Sequence, residues 1–354
     1  MRAVVLAVAI GLLAVAGCKR SSGAPQQPRH LKEVMAARFL PTAAALMRDA
    51  TELVGEPATG RGSGTADELA AARWLEARMA EEGLEAGTSD GFLQAVTGPA
   101  GTSHNVIGVL PGQDEKLAGT HLLVGAHIDH LGVDGQGNVF PGADDNASGV
   151  AVLLGVVEAW RQSGFASRHT IVFVGFGGEE AGLAGSRHYA RQPVRPVGTM
   201  MAMINLDMLG RPRFYDYRSM KLAKTVAGIA DGPGLGLLVG GSNRLLELSR
   251  CAARASKIPS YAPDDFPLLR GLIDKATNNR GDFAPFAELG VPYVFLSTSE
   301  HDDYHRVTDT LSTIDPAALR VNAEIVWRTT LALDLEASAL SQDAVECPVL
   351  NAVR

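Results

Sequence analysis

The stretch Leu122–Gly149, LLVGAHIDHLGVDGQGNVFPGADDNASG, decides how this chain folds and where its chemistry lies. Leu122, Leu123, Val124, Gly125 and Ala126 form an apolar run with no polar alternation, which predicts a strand buried on both faces of an α/β sheet. His127 and Asp129 follow where that strand should end, and carboxyl ends of strands are where such sheets build ligand sites. Two residues apart on an extended chain, both side chains face the same way. Asp129 can then accept a hydrogen bond from one ring nitrogen of His127 while the other faces a metal. Taken alone, a His-x-Asp reads equally well as a surface pair. After a Gly-rich loop, Gly142-Ala143-Asp144-Asp145-Asn146-Ala147-Ser148-Gly149 precedes Val150–Trp160, whose apolar spacing predicts a buried helix. Helix capping accounts for one polar residue there and leaves a second aspartate over.

The same motif recurs along the chain. Leu31–Glu85 reads as mostly helical, broken at Pro57–Gly64, with an amphipathic helix over Asp67–Glu82. His104–Leu110 reads as a strand closed by Pro111-Gly112. Thr170–Gly175 is a further strand, leading into Phe176-Gly177-Gly178-Glu179-Glu180 and a helix over Leu183–Ala190. Adjacent carboxylates beside a buried strand are costly without a cation nearby, and neighbouring side chains on extended backbone point opposite ways. One glutamate can therefore hold a metal while the other reaches its water. Met200–Leu206 delivers Asp207, and Val291–Ser297 leads into Glu300-His301-Asp302-Asp303-Tyr304-His305-Arg306-Val307-Thr308-Asp309-Thr310. Carboxylates and imidazoles at four strand ends suit paired zinc or a similar divalent pair. No Ser-His-Asp elbow, P-loop or dinucleotide fingerprint competes.

The chain has 354 residues, 46% of them hydrophobic, and 39 glycines, enough for one large α/β domain. Its formal net charge of -7 argues against nucleic-acid binding and suits a cationic substrate amine. Residues 1–17 read as a signal peptide: one basic residue, Arg2, then the apolar run Ala3–Ala16, too short to span a bilayer. Val15-Ala16-Gly17-Cys18 resembles a bacterial lipobox, which implies lipidation at Cys18, attachment to a membrane of the cell envelope and a flexible linker over 18–30. An ordinary signal peptide with an incidental cysteine is the alternative, and either reading exports the protein. The remaining boundaries are a catalytic domain over 31–340 and a tail over 341–354. Cys251 and Cys347 could form a disulfide in an oxidising compartment, although Cys251 falls on the apolar face of a helix over Asn243–Ser256 and is at least as readily a core residue.

In order, His127-x-Asp129, Gly142–Gly149, Glu179-Glu180-x-Gly182-Leu183-x-Gly185-Ser186, Asn205-Leu206-Asp207-Met208 and Tyr304-His305-x-x-x-Asp309-Thr310 resemble the co-catalytic dizinc aminopeptidases of clan MH. Gly60-Arg61-Gly62-Ser63-Gly64 and Asn105-Val106-Ile107-Gly108 are similar to that family too. The resemblance implies a single α/β domain of the zinc-peptidase, phosphorylase/hydrolase-like kind: a mixed, mainly parallel sheet with helices on both faces. It implies that Asp145 bridges two zinc ions, with His127 and Asp207 on one and Glu180 and His305 on the other. Glu179 would be the general base toward the shared water, Asp129 would orient His127, Tyr304 would support the oxyanion, Asp144 would shape the loop and Asp309 would hold His305. A cis peptide is expected between Asp145 and Asn146. The implied activity is hydrolysis of N-terminal residues from peptides with a free N-terminus. His130 and His301 receive no metal role, and the other histidines read as structural.

Gly281-Asp282-Phe283 stands where the family often has Ser-Asp-His, and Arg211–Arg280 matches poorly, so much of the substrate pocket is expected there. Two other classes stay open: a glutaminyl cyclase-like enzyme working with one zinc, and a non-catalytic binding protein on the same scaffold. The complete Asp-Asp-Asn motif and Tyr304 before His305 weigh against the first. The unbroken ligand set weighs against the second.

Overall fold

The computed structural model describes residues 39–214, 224–225, 228–229, 232–268, 270–277, 280–336 and 340. The expected signal peptide, Cys18, the linker and the tail all lie outside the described residues.

The apolar runs become strands of one sheet. These are β1 (Glu85–Ala86), β2 (Leu93–Gly98), β3 (Gly101–Leu110), β4 (His121–His127), β7 (Thr170–Phe176), β8 (Met200–Leu206), β9 (Leu235–Gly240), β10 (Ser260–Tyr261) and β11 (Tyr293–Ser297). The short β5 (Gly132–Val133) and β6 (Val139–Phe140) form a separate hairpin. The main sheet runs β1-β3-β7-β4-β8-β11-β9-β10, with β2 against β3. Its centre, β7-β4-β8-β11, is parallel, and antiparallel pairs flank it at β3/β7 and β9/β11. Strand β9 and its pairing were not legible in the sequence: Leu235–Gly240 carries two glycines within six residues, which weakens any strand pattern.

Helices cover both faces: α1 (Ala43–Val54), α2 (Ala66–Glu81), α3 (Gly149–Ser163), α4 (Ala184–Arg191), α5 (Asn243–Ala255), α6 (Arg270–Thr277), α7 (Ala284–Glu288) and α8 (Pro316–Asp334). Thr42, Thr65, Ser242 and Asp315 cap α1, α2, α5 and α8 by accepting backbone N–H groups, which fixes where those helices start. Side chains alternate across β4. Leu122, Val124 and Ala126 join a core with α1, α3, α5 and α8, and Leu123 joins the opposite one with Tyr189 of α4 and Phe286 of α7. Each such fully buried aliphatic side chain contributes roughly 1.5–3 kcal/mol.

Because β4 pairs with β7 on one side and β8 on the other, the chain reverses its direction of winding at β4. That opens a crevice at the carboxyl ends of the parallel strands. Residues 111–120 are the whole connection from β3 to β4, so no domain is inserted there. Cys251 is buried on α5 and disulfide-bonded, which corrects the plain core-cysteine reading; Cys18 and Cys347 lie outside the described residues.

Candidate functional site

Four strand ends converge in the crevice. His127 is the last residue of β4, Glu179 and Glu180 sit in the turn after β7, Asp207 follows β8, and His305 lies on the loop after β11. Asp145 reaches them from the irregular turn Ala143–Ser148 that opens α3, and its peptide bond to Asn146 is cis, as expected.

The carboxylate of Asp145 has its oxygens turned to two different groups. Its Oδ1 lies 3.2 Å from His127 Nε2, which is also 3.5 Å from Asp207 Oδ1. Its Oδ2 lies 3.2 Å from His305 Nε2, which is also 3.3 Å from Glu180 Oε1. Donors sharing one tetrahedral cation with bonds of 2.0–2.1 Å stand about 3.3–3.4 Å apart, so these separations fit. Asp207 Oδ1 is buried without a hydrogen-bond partner among the described residues, an orphaned acceptor that a cation would satisfy. Mixed imidazole and carboxylate donors are chemistry suited to zinc.

The electrostatics point the same way. Burial opposes charge on His127, but Asp145 and Asp207 outweigh it and hold its pKa well above the ordinary value. His305, likewise desolvated, is pushed up to about 10 by Asp145 and Glu180. Asp145 is held well below the usual carboxylate range because His127 and His305 overcome its burial. Burial lifts Asp207 to about 6. Glu179 is raised well above the ordinary glutamate value, chiefly by burial and further by Asp282, Glu180 and Asp207, with His127 opposing. A carboxyl so raised in a cleft is suited to exchanging protons.

Two expected contacts differ. His127 Nδ1 donates to the backbone carbonyl of Asp129 at 3.2 Å, while the Asp129 carboxylate is 3.8 Å away. β4 has ended at His127, so the two residues no longer share a strand face. The Asp129 carboxylate instead accepts the backbone N–H groups of Glu179 at 3.0 Å and Glu180 at 3.2 Å, and the Ser63 hydroxyl. It fixes the Glu179-Glu180 turn. Asp309, expected to hold His305, accepts the backbone N–H groups of Asp144 and Asp145 at 3.0–3.1 Å. It therefore anchors the turn that carries Asp145. Asp144 shapes that turn as expected: its carboxylate accepts from Gly210 N at 2.7 Å and faces His301 Nε2 at 3.1 Å. His301 thus has a structural partner and no place among the donors.

Asn146 reaches across to β8. Its amide donates to Leu206 O at 2.9 Å and accepts from Gly149 N and Met208 N, tying the turn to the strand that presents Asp207. Tyr304 stacks on His305 with ring centroids 3.8 Å apart, and burial raises its hydroxyl's pKa.

Sequence reading assigned no role to several residues here. Arg61 is buried, donates to Ile128 O, Pro141 O and Gly142 O at 2.8–2.9 Å, and feels the charge of Asp129, Asp145, Asp309 and Glu180. Asp282 is buried, pushed to about 7 by desolvation, and raises Glu179 in turn. His130, discounted by spacing, lies 3.0 Å from Glu180 Oε1. Its place directly after His-x-Asp was the only local signal. Phe283, standing where relatives often have histidine, stacks on Tyr293 at 4.5 Å and lines the cleft.

The cleft encloses about 610 Å³, counting its opening to solvent. Among the described residues, Leu238, Thr277 and Arg280 line it from Arg211–Arg280, less of the wall than was expected of that stretch, while Phe295, Ser299 and Glu300 come from β11 and its following loop. Arg280 pairs with Glu300 at 2.9 Å on the rim.

Comparison with known proteins bears on this arrangement. The chain is 28% identical over 222 residues to a probable leucine aminopeptidase of Arthroderma otae, covering 62% of this chain and 54% of that protein. It thus spans about half the length of the curated relatives it matches. Among solved structures, the Legionella pneumophila LapA aminopeptidase superposes with a TM-score of 0.64 at 18% identity, covering 87% of this chain and 76% of that one. The Porphyromonas gingivalis glutaminyl cyclase superposes with a TM-score of 0.57 at 21% identity, covering 82% and 98%. At these identities the likeness is one of fold. The profile of Peptidase family M28 matches residues 105–227 and 268–330, more than half of the chain and the very strands and loops that carry the converging donors. On that match, the chain belongs to Peptidase family M28.

Proposed function

We propose that the chain is a two-metal aminopeptidase, exported and lipid-anchored through Cys18, that removes N-terminal residues from peptides with a free amine. The carrying observation is Asp145, whose two oxygens face separate histidine–carboxylate sets. On this reading His127 and Asp207 would hold one zinc and Glu180 and His305 the other, with Asp145 able to serve both. Bound zinc supplies Lewis acidity and lowers the pKa of water toward about 7.

The chain's residues do the rest. Glu179, held by the Asp129 clamp on its backbone N–H, takes a proton from the attacking water and passes it to the leaving amine. Tyr304 donates its hydroxyl proton toward the developing oxyanion. That hydroxyl is protonated at neutral pH, and burial raises its pKa further. Leu238, Phe283 and Phe295 give the cleft an apolar wall for a substrate side chain and exclude water from the reacting centre. Export and lipid anchoring are supported by the Met1–Cys18 pattern.

The test is metal content of the full chain, purified in detergent, by mass spectrometry, with hydrolysis of free and N-blocked aminoacyl anilides. About two zinc ions per chain and chelator-sensitive release from free substrates are expected. Glu179→Gln should abolish turnover with metal retained. One zinc with cyclisation of N-terminal glutamine would replace this reading by the cyclase, a fold neighbour. A chain with neither metal nor turnover would leave only a binding role.

A further inference from the structure

His130 lies one residue beyond Asp129, buried at 1% exposure. Its backbone N–H is tied to Arg61 O at 3.0 Å, and its ring packs edge-on to His305 with centroids 5.8 Å apart. On another side the ring meets Gly142: a Cβ there would fall 2.5–2.6 Å from His130 Cγ and Cδ2. The ring is therefore held in one place. Its Nδ1 stands 3.0 Å from Glu180 Oε1 and 3.7 Å from Asp145 Oδ2, whereas Nε2 is buried and meets no hydrogen-bond partner among the described residues.

These distances separate two roles. His305 Nε2 is nearly equidistant from Glu180 Oε1 and Asp145 Oδ2, at 3.3 and 3.2 Å, as a donor sharing a cation with both would be. His130 Nδ1 is unevenly placed, at hydrogen-bond length from one oxygen only. With both nearby acceptors on the Nδ1 side, the proton belongs on Nδ1. We propose that His130 is a positioning residue, whose Nδ1–H holds Glu180 Oε1 turned toward His305 and Asp145 so that the metal position these three build is formed in advance. The inference rests on the two-metal reading above. A carboxylate ligand held by a fixed donor keeps its remaining lone pairs aimed at the cation, and loss of such a partner typically lowers metal affinity 10–100-fold.

The test compares His130→Ala, His130→Asn and His130→Gln in the full chain, reading zinc stoichiometry and affinity by chelator competition and melting of the chelator-stripped protein. Asparagine places its amide nitrogen near Nδ1; glutamine places it near Nε2. Alanine and glutamine should weaken one of the two zinc ions about 10–100-fold and leave the other unchanged, while asparagine stays within about threefold of the parent. A role confined to filling space would move the stripped protein's melting and give no asparagine–glutamine split. If the parent holds two zinc ions and all three variants hold them as tightly, or asparagine loses as much as alanine, this assignment alone is overturned. A parent with only one zinc overturns the two-metal reading as well.

Discussion

Replacing Arg61 by methionine removes a guanidinium that no solvent reaches and that three backbone carbonyls share. Burial lowers its pKa to about 10, offset in part by Asp129, Asp145, Asp309 and Glu180, so it stays charged at pH 7. Methionine fills much of the aliphatic volume but leaves Ile128 O, Pro141 O and Gly142 O without their donor. Each buried carbonyl so stranded costs about 1–3 kcal/mol. With some relaxation, Arg61→Met should destabilise the protein by roughly 3–6 kcal/mol, or on the order of 5–10 °C in Tm for a domain of this size. Arg61→Lys keeps the cation and can reach one carbonyl, so it should lose about 2–4 kcal/mol. Because Ile128 borders the β4 end and Pro141 and Gly142 lead into the Asp145 turn, both variants should also bind zinc more weakly than their stability loss alone explains. Urea unfolding of chelator-treated protein, followed by circular dichroism, measures the first effect; zinc competition measures the second. An Arg61→Met protein within about 1 kcal/mol of the parent would refute the reasoning.

Gly142 has φ 61°, and a Cβ there would fall 2.4 Å from Asp145 O, so Gly142→Ala should cost about 2–4 kcal/mol and weaken zinc binding, read by the same two assays. Tyr304→Phe should lower kcat about 10–100-fold with a smaller change in KM if its hydroxyl acts mainly on the oxyanion, and steady-state kinetics decide it. Asp49, buried on α1 and 3.2 Å from Arg78, has its pKa raised by desolvation to about 6 from 3.8. The folded chain thus holds this proton more tightly than the unfolded one, and the associated stability, present below about pH 4, is lost as pH rises toward 6. Urea unfolding from pH 4 to 7 should show Asp49→Asn gaining on the parent by up to about 3 kcal/mol; a difference that stays flat with pH would count against it.

Much of this architecture was legible in residue order because it rests on local signals. The apolar runs at Leu122–Ala126, Thr170–Gly175 and Met200–Leu206 mark strands, and polar residues at their carboxyl ends mark the site side of a parallel sheet. Helix α2 begins one residue from where its pattern predicts, and α5 at its predicted residue. The converging donors were named from sequence, and the structure does bring His127, Asp145, Glu180, Asp207 and His305 together.

What only tertiary structure decided is which partner each polar group finds. Asp129 seemed paired with His127 because extended residues two apart share a face, but the strand stops at His127 and the carboxylate turns to amides fifty residues away. Asp309 lies four residues from His305 yet holds a turn 165 residues distant. The roles of Arg61, His130 and Asp282 carry no periodic or spacing signature, even where a family-like motif contains the residue, since a buried polar residue is defined by the groups around it. Residue order sets propensity and burial pattern through interactions a few residues long; the hydrogen-bond partners that orient a site come from whichever segments the sheet brings alongside, and only the assembled fold specifies those.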